Sequence, residues 1–239
     1  MEARLDNQNV SPLNPLPPVV WILVLPMIAM EIVVSAGEAG LIGGPAAIGW
    51  RLEAFQRFAF APDYLRQMIG ARMFPLDGLM RLVTYPLVSL SASTTLFVVV
   101  ITLALGKFVG EVFRWWALVT LFLAGTVLGA LAYTALPGAH MPLSGGYPGV
   151  YGLIGGFTFV LFRRQEVMGQ SRLRAFRLIG FLLAFRIVFA VGTVLIYGSA
   201  AGAGLDWVAE LAGFAVGFLL SFLLTPGGWS QWRDRLRGR

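Results

Sequence analysis

The feature that most constrains this chain is a series of apolar runs, each close to the length needed to cross a bilayer. They cover about Val19 to Ala36, Leu82 to Gly106, Trp115 to Leu136, Gly149 to the Arg163-Arg164 pair, Leu178 to Tyr197 and Leu205 to Leu224. About 20 apolar residues suffice for a helix to span the hydrocarbon core, so the pattern reads as six spans, the fourth shorter than the rest. Of the 239 residues, 57% are hydrophobic and 13% charged, whereas soluble domains carry about 25% charged residues. That excess of apolar side chains does not fit inside one aqueous globule. The expected fold is all-α, a polytopic bundle occupying residues 18–225. Residues 1–17, polar and proline-rich, read as a disordered tail, and residues 226–239 as a basic tail.

Loop charges orient the bundle. Arg163, Arg164, Arg172, Arg174 and Arg177 lie between the fourth and fifth runs, and Arg233, Arg235, Arg237 and Arg239 close the chain. The third-to-fourth loop has only His140 and the fifth-to-sixth only Asp206. Basic loops stay in the cytoplasm, so both termini are expected there. The net charge of +6 belongs to this pattern rather than to a nucleic-acid surface. Seventeen arginines against one lysine read as a GC-rich bacterial genome, hence the bacterial inner membrane. With no cysteine and one histidine, neither a disulfide framework nor a multi-histidine metal site is available, and no cofactor is implied.

The long loop after the first run is patterned. Trp50, Ala54, Phe55 and Phe58 share one helical face, with Arg51, Gln56 and Arg57 opposite, and Tyr64, Leu65, Met68 and Ile69 repeat the scheme after Pro62. Such helices either lie in the headgroup layer or pack those faces on the protein itself. Gly152 and Gly156 are four apart, as are Gly213 and Gly217. This spacing lets helix backbones approach closely in a membrane.

Three landmarks resemble the rhomboid intramembrane protease family. They are Arg81-Leu-Val-Thr-Tyr-Pro-Leu-Val-Ser89 at the second run (Met80 standing in for the family's tryptophan), Gly149-Val-Tyr-Gly-Leu-Ile-Gly-Gly156 opening the fourth, and Ala209-Glu-Leu-Ala-Gly-Phe-Ala-Val-Gly217 in the sixth. The resemblance spans about Val19 to Leu224. It implies a six-helix rhomboid-like bundle with interfacial helices in the first outer loop. It also implies a serine nucleophile opening the fourth helix, a histidine base on the sixth, and a histidine and asparagine on the second that stabilise the oxyanion. Aligned on the same motifs, those positions hold Tyr147, Glu210, Thr94 and Val98, and Pro148 replaces the glycine after the nucleophile.

These replacements do not make a protease. Moving a proton from a phenol of pKa ~10 to a carboxylate of pKa ~4.3 costs about 8 kcal/mol before any attack, and Pro148 removes a backbone N–H near the oxyanion. The other candidate pair, His140 with Ser144, lies upstream of the expected nucleophile and away from the sixth run. Tyr147 and Glu210 are expected to meet at the outer end of the glycine seam. There the phenol either donates a hydrogen bond to the carboxylate or turns up into the loop.

Ionisable residues at membrane depth need a partner or a wet cavity. Glu31 and Glu210 either snorkel to outer water or find partners. Arg186 sits mid-span, roughly 10 Å from the depth of Glu210 at 1.5 Å per residue, too far for an easy pair. The resemblance therefore implies an inactive member, not an enzyme, with the bilayer and the transmembrane segments of client proteins as its partners. The alternatives are an active protease with atypical catalytic residues and a small-molecule or ion carrier using Glu31, Arg186 and Glu210.

Overall fold

The structure is a computed structural model that describes residues 16–169, 171–197 and 205–225. Among these residues the secondary structure is helical, apart from a single antiparallel bridge between Phe60 and Leu143. The order is α1 (Pro18–Glu38), three short helices α2 (Trp50–Phe58), α3 (Pro62–Ala71) and α4 (Leu76–Thr84), then α5 (Ala92–Val112), α6 (Trp115–Thr134), α7 (Tyr147–Val167), α8 (Arg177–Tyr197) and α9 (Asp206–Leu224). Among the described residues, α1, α5, α6 and α9 are long and apolar enough to cross a membrane. The tails, save Leu16 and Pro17, and the side chain of Arg186 lie outside the described residues.

Two expected boundaries move. The second apolar run does not make one helix from Leu82. Residues up to Thr84 finish α4, Tyr85–Leu87 form a 3-10 turn, and α5 starts at Ala92. Pro86 cannot donate the N–H that a continuing helix requires, and Ser91 makes a fresh start by accepting the Thr94 N–H at 3.4 Å. Hydropathy runs through this break because the turn is itself apolar. The fourth helix is also not short: α7 has 21 residues and continues through the arginine pair to Val167. Pro148 sits in its first turn, where N–H groups have no intrahelical acceptor to lose.

The bundle closes where α6, α7 and α9 touch through their backbones. A methyl group at Gly217 would fall on the carbonyl of Gly152, and one at Gly213 on the carbonyl of Pro148. One at Gly129 would lie 2.6 Å from the Ala209 carbonyl oxygen. Gly155, which sequence reasoning passed over, meets Phe214 and Phe218 of α9, while Gly156 turns to Leu121 of α6. On α7 the notch facing α9 is therefore Gly155, while the missing side chain of Gly152 faces Leu121 and Gly125 of α6. Further along the seam Phe159 packs edge-on against Phe222 at 4.6 Å.

For one of the two patterned faces of the first loop, that of α3, the structure shows packing on the protein. Leu65 and Met68 of α3 are buried in a cluster with Phe60, Tyr85, Ala130 and Tyr133. On α4, Leu76, Leu79, Met80 and Val83 are exposed.

Backbone contact makes the seam intolerant of volume. Gly217→Val should lower stability in detergent by about 1–3 kcal/mol, whereas Gly180→Ala in α8, with nothing near the added methyl, should leave the melting temperature unchanged or slightly raised. Equal effects from the two substitutions would show that the seam is not close-packed.

Candidate functional site: the mouth of α7

The start of α7 is set by contacts from three directions. Gly146, just before it, lies against Val98 of α5, Met27 of α1 and Phe122 of α6, with a methyl at Gly146 only 2.8 Å from Val98 Cγ1. A methyl at Gly145 would be 3.4 Å from Ser89 Oγ, 3.7 Å from Thr94 Cγ2 and 4.0 Å from the Tyr147 ring. Gly145 adopts φ +82°, a left-handed conformation that glycine enters without a steric penalty. From behind, the carbonyl of Pro148 rests on Gly213 of α9. Glu210, one turn earlier on α9, is only 4% exposed.

The loop into α7 is fastened to the first loop at several points. Phe60 and Leu143 exchange backbone hydrogen bonds of 2.9 and 2.8 Å, and the Gly145 N–H donates to the carbonyls of Val88 and Tyr85 at 2.7 and 3.1 Å. The Tyr85 hydroxyl, fully buried, donates to the Thr126 carbonyl of α6 at 2.9 Å, and burial pushes its pKa up. Arg66 of α3 donates to the carbonyls of Thr134, Leu136 and Ala139 at 3.1, 2.5 and 2.8 Å. It thereby satisfies acceptors that the end of α6 leaves open. Asp63 takes a further bond from Arg66 and has both carboxylate oxygens 3.0 Å from His140 Nδ1.

A second charged cluster joins α1, α2 and the approach to α5. Arg51 donates to Glu31 at 2.7 and 3.3 Å, to Glu38 at 2.8 and 2.9 Å, to the Ser35 hydroxyl at 3.0 Å and to the Ser89 carbonyl at 3.1 Å. Ser35 and Thr95 complete the shell of Glu31 with hydroxyl donors at 2.7 and 2.6 Å. Glu31 thus has a full set of partners inside the protein and does not depend on snorkelling to water. The hydrogen bonds that Arg51 donates to Glu31 raise its own pKa most. Sequence patterning put Arg51 on the polar face of its helix, but nothing local linked it to a carboxylate twenty residues earlier.

The groups gathered at the mouth are a phenol, an aliphatic side chain, a threonine hydroxyl held 2.9 Å from Ser91 Oγ, and a buried carboxyl one turn from the contact with Pro148. No imidazole is among them, since His140 is held by Asp63 with its side chain 65% exposed. Among the described residues no hydrogen bond joins His140 to Ser144, and no group of side chains could hold a metal ion.

Asp63 is the pivot of the outer cluster. Its hydrogen bond with His140, then that with Arg66, hold its carboxyl below the ordinary value. A depressed carboxyl contributes stability above its unfolded pKa and loses it as pH falls through the folded one. The small stability gap between the wild type and Asp63→Asn should be fully developed at about pH 5 and close as the pH falls below about 4. A gap that instead widened on acidification to pH 3 would contradict the ionised pairing.

Compared with known protein families, the chain matches the Rhomboid domain over residues 77–227. The matched stretch exceeds half of the chain and takes in α5 to α9 together with the seam and the mouth. No individual curated protein matches the sequence. The α6–α7–α9 seam, the loop-fastened entry to α7 and the domain match together place this chain in the rhomboid family.

Proposed function

We propose that this chain is a catalytically inactive, rhomboid-like membrane protein that binds transmembrane helices of client proteins without cutting them. The carrying observation is the chemistry at the mouth of α7, where Tyr147, Thr94 and Val98 gather and Glu210 lies buried nearby. A hydroxyl nucleophile needs a base of near-neutral pKa and an oxyanion needs donors. The aligned positions offer a carboxyl, Glu210, in place of the imidazole base, and one hydroxyl, Thr94, with an aliphatic side chain, Val98, in place of the two oxyanion donors. The reading takes all six long helices as spans, with both termini in the cytoplasm of a bacterial inner membrane and the exposed stripe of α4 in the outer headgroup layer. Client recognition draws on apolar side surface: Leu96, Phe97 and Val100 of α5 and Phe181, Phe185 and Val188 of α8 are exposed. Binding of this kind would serve quality control, assembly or trafficking.

One observation favours the rival reading of an active protease. Asp63 holds His140 by Nδ1, as an orienting acid holds a catalytic imidazole, which leaves Nε2 turned elsewhere. Ser144, four residues on, would be its nucleophile, although the two are not hydrogen-bonded.

Purified protein offered a fluorogenic transmembrane rhomboid substrate should release no product above a blank, and Ser144→Ala should change nothing. Cleavage that Ser144→Ala abolishes would establish the rival. A photo-crosslinking residue at position 147 should capture transmembrane segments of other proteins in native membranes, and capture of lipid alone would remove the client-binding reading. Reporter fusions after Arg172 and at the C-terminus should read as cytoplasmic, and those near His140 and Gly202 as external. A C-terminus on the outer side would mean that one long helix does not cross.

A further inference from the structure

The opposite end of α7 carries a basic surface remote from the mouth. Between positions 163 and 177 the sequence holds five arginines and one acid, Glu166. Glu166 accepts a 3.4 Å hydrogen bond from Arg163. The chain then folds back: the 3-10 turn Arg172–Phe176 packs on α7, with Ala175 1% exposed and the Phe176 ring 6.3 Å from that of Phe162. This fold-back gathers Arg163, Arg164, Arg174 and Arg177, all exposed, at one end of the bundle. Val167 and Leu173 stand among them at 87% and 79% exposure.

Two apolar side chains almost wholly outside the protein, set among guanidinium groups, suit a boundary where hydrocarbon and phosphate lie side by side. Apolar tips can enter the acyl region there, while arginine heads stay at headgroup depth. Arginine presents a planar fork of donors that matches phosphate oxygens two at a time. A net positive charge of this size discriminates between lipids, because zwitterionic headgroups carry phosphate without net charge. We propose that this end of the bundle is a binding surface for anionic phospholipids, with the four arginines on the headgroup phosphates and Val167 and Leu173 in the adjoining acyl chains. The assignment needs only that the chain be membrane-embedded, and stands whether or not clients are bound.

Native mass spectrometry of the purified full chain in detergent tests it by counting retained lipids. Phosphatidylglycerol should be retained at roughly tenfold lower concentration than phosphatidylcholine of the same acyl chains, and this preference should shrink as salt rises from about 0.05 to 0.5 M. Replacing all four residues (Arg163→Gln, Arg164→Gln, Arg174→Gln and Arg177→Gln) should abolish most of the preference, and lysine at the same positions should restore most of it. Leu173→Ser should weaken retention of both lipids alike. If the glutamine variant fails to fold, the salt series on the wild type and the lysine variant still decide. Equal retention of the two lipids by the wild type, or a preference indifferent to salt, would overturn the proposal. Displacement of phosphatidylglycerol by micromolar glycerol 3-phosphate would also overturn it, by assigning the arginines to a soluble phosphate ligand.

Discussion

Backbone contact between α6, α7 and α9 is the constraint on which the rest of the structure depends. In hydrocarbon, apolar side chains gain nothing by leaving lipid for one another, so association rests on close packing and on polar groups that find partners. Gly152 supplies this twice, meeting Leu121 of α6 on one side and Gly217 of α9 on the other. The order of the helices around α7 is thereby set by main-chain atoms. Side chains at the mouth, including Tyr147 and Glu210, occupy positions that the seam has already fixed.

The first loop adds a second layer of constraint at the other end of the scale, through polar rather than apolar contact. Arg51 and Arg66 each reach across the fold to acceptors far away in the chain: a carboxylate in the body of α1, and the carbonyls at and just beyond the last turn of α6. Breaking a sheltered pair is costly because it strands the remaining charge. The loop is thus tied to α1, α6 and the entry to α7, and holds the mouth from above as the glycine seam holds it from below.

Much of this was legible in the sequence, for identifiable reasons. Hydropathy located the long helices because each is a nearly unbroken apolar run of about the length the bilayer core demands, and glycine spacing located the seam because close approach needs a missing side chain. Hydropathy failed at residues 82–91, where an apolar turn around Pro86 continues the greasy run while the backbone leaves the helix. It failed again at the end of α7, which runs on past the arginine pair. The partners of Glu31 and the capping role of Arg66 were not legible at all. Each depends on residues brought together by the fold, and an arginine on the polar face of an amphipathic helix looks the same whether it meets water or a carbonyl.

The capping of α6 by Arg66 also bears on the order of assembly. Arg66 precedes the Ala139 carbonyl it binds by 73 residues. At a synthesis rate of about 5–20 residues per second, roughly 4–15 s separate their emergence from the ribosome. During that interval Arg66 is made but its carbonyl acceptors are not, whereas Arg51 already has Glu31 and Glu38 of α1 behind it in the chain. The α3 part of the first loop stays without its anchor until α6 and the loop beyond it arrive. The outer layer of the fold is therefore written early in the chain and completed late, and its final form waits on the clock of translation.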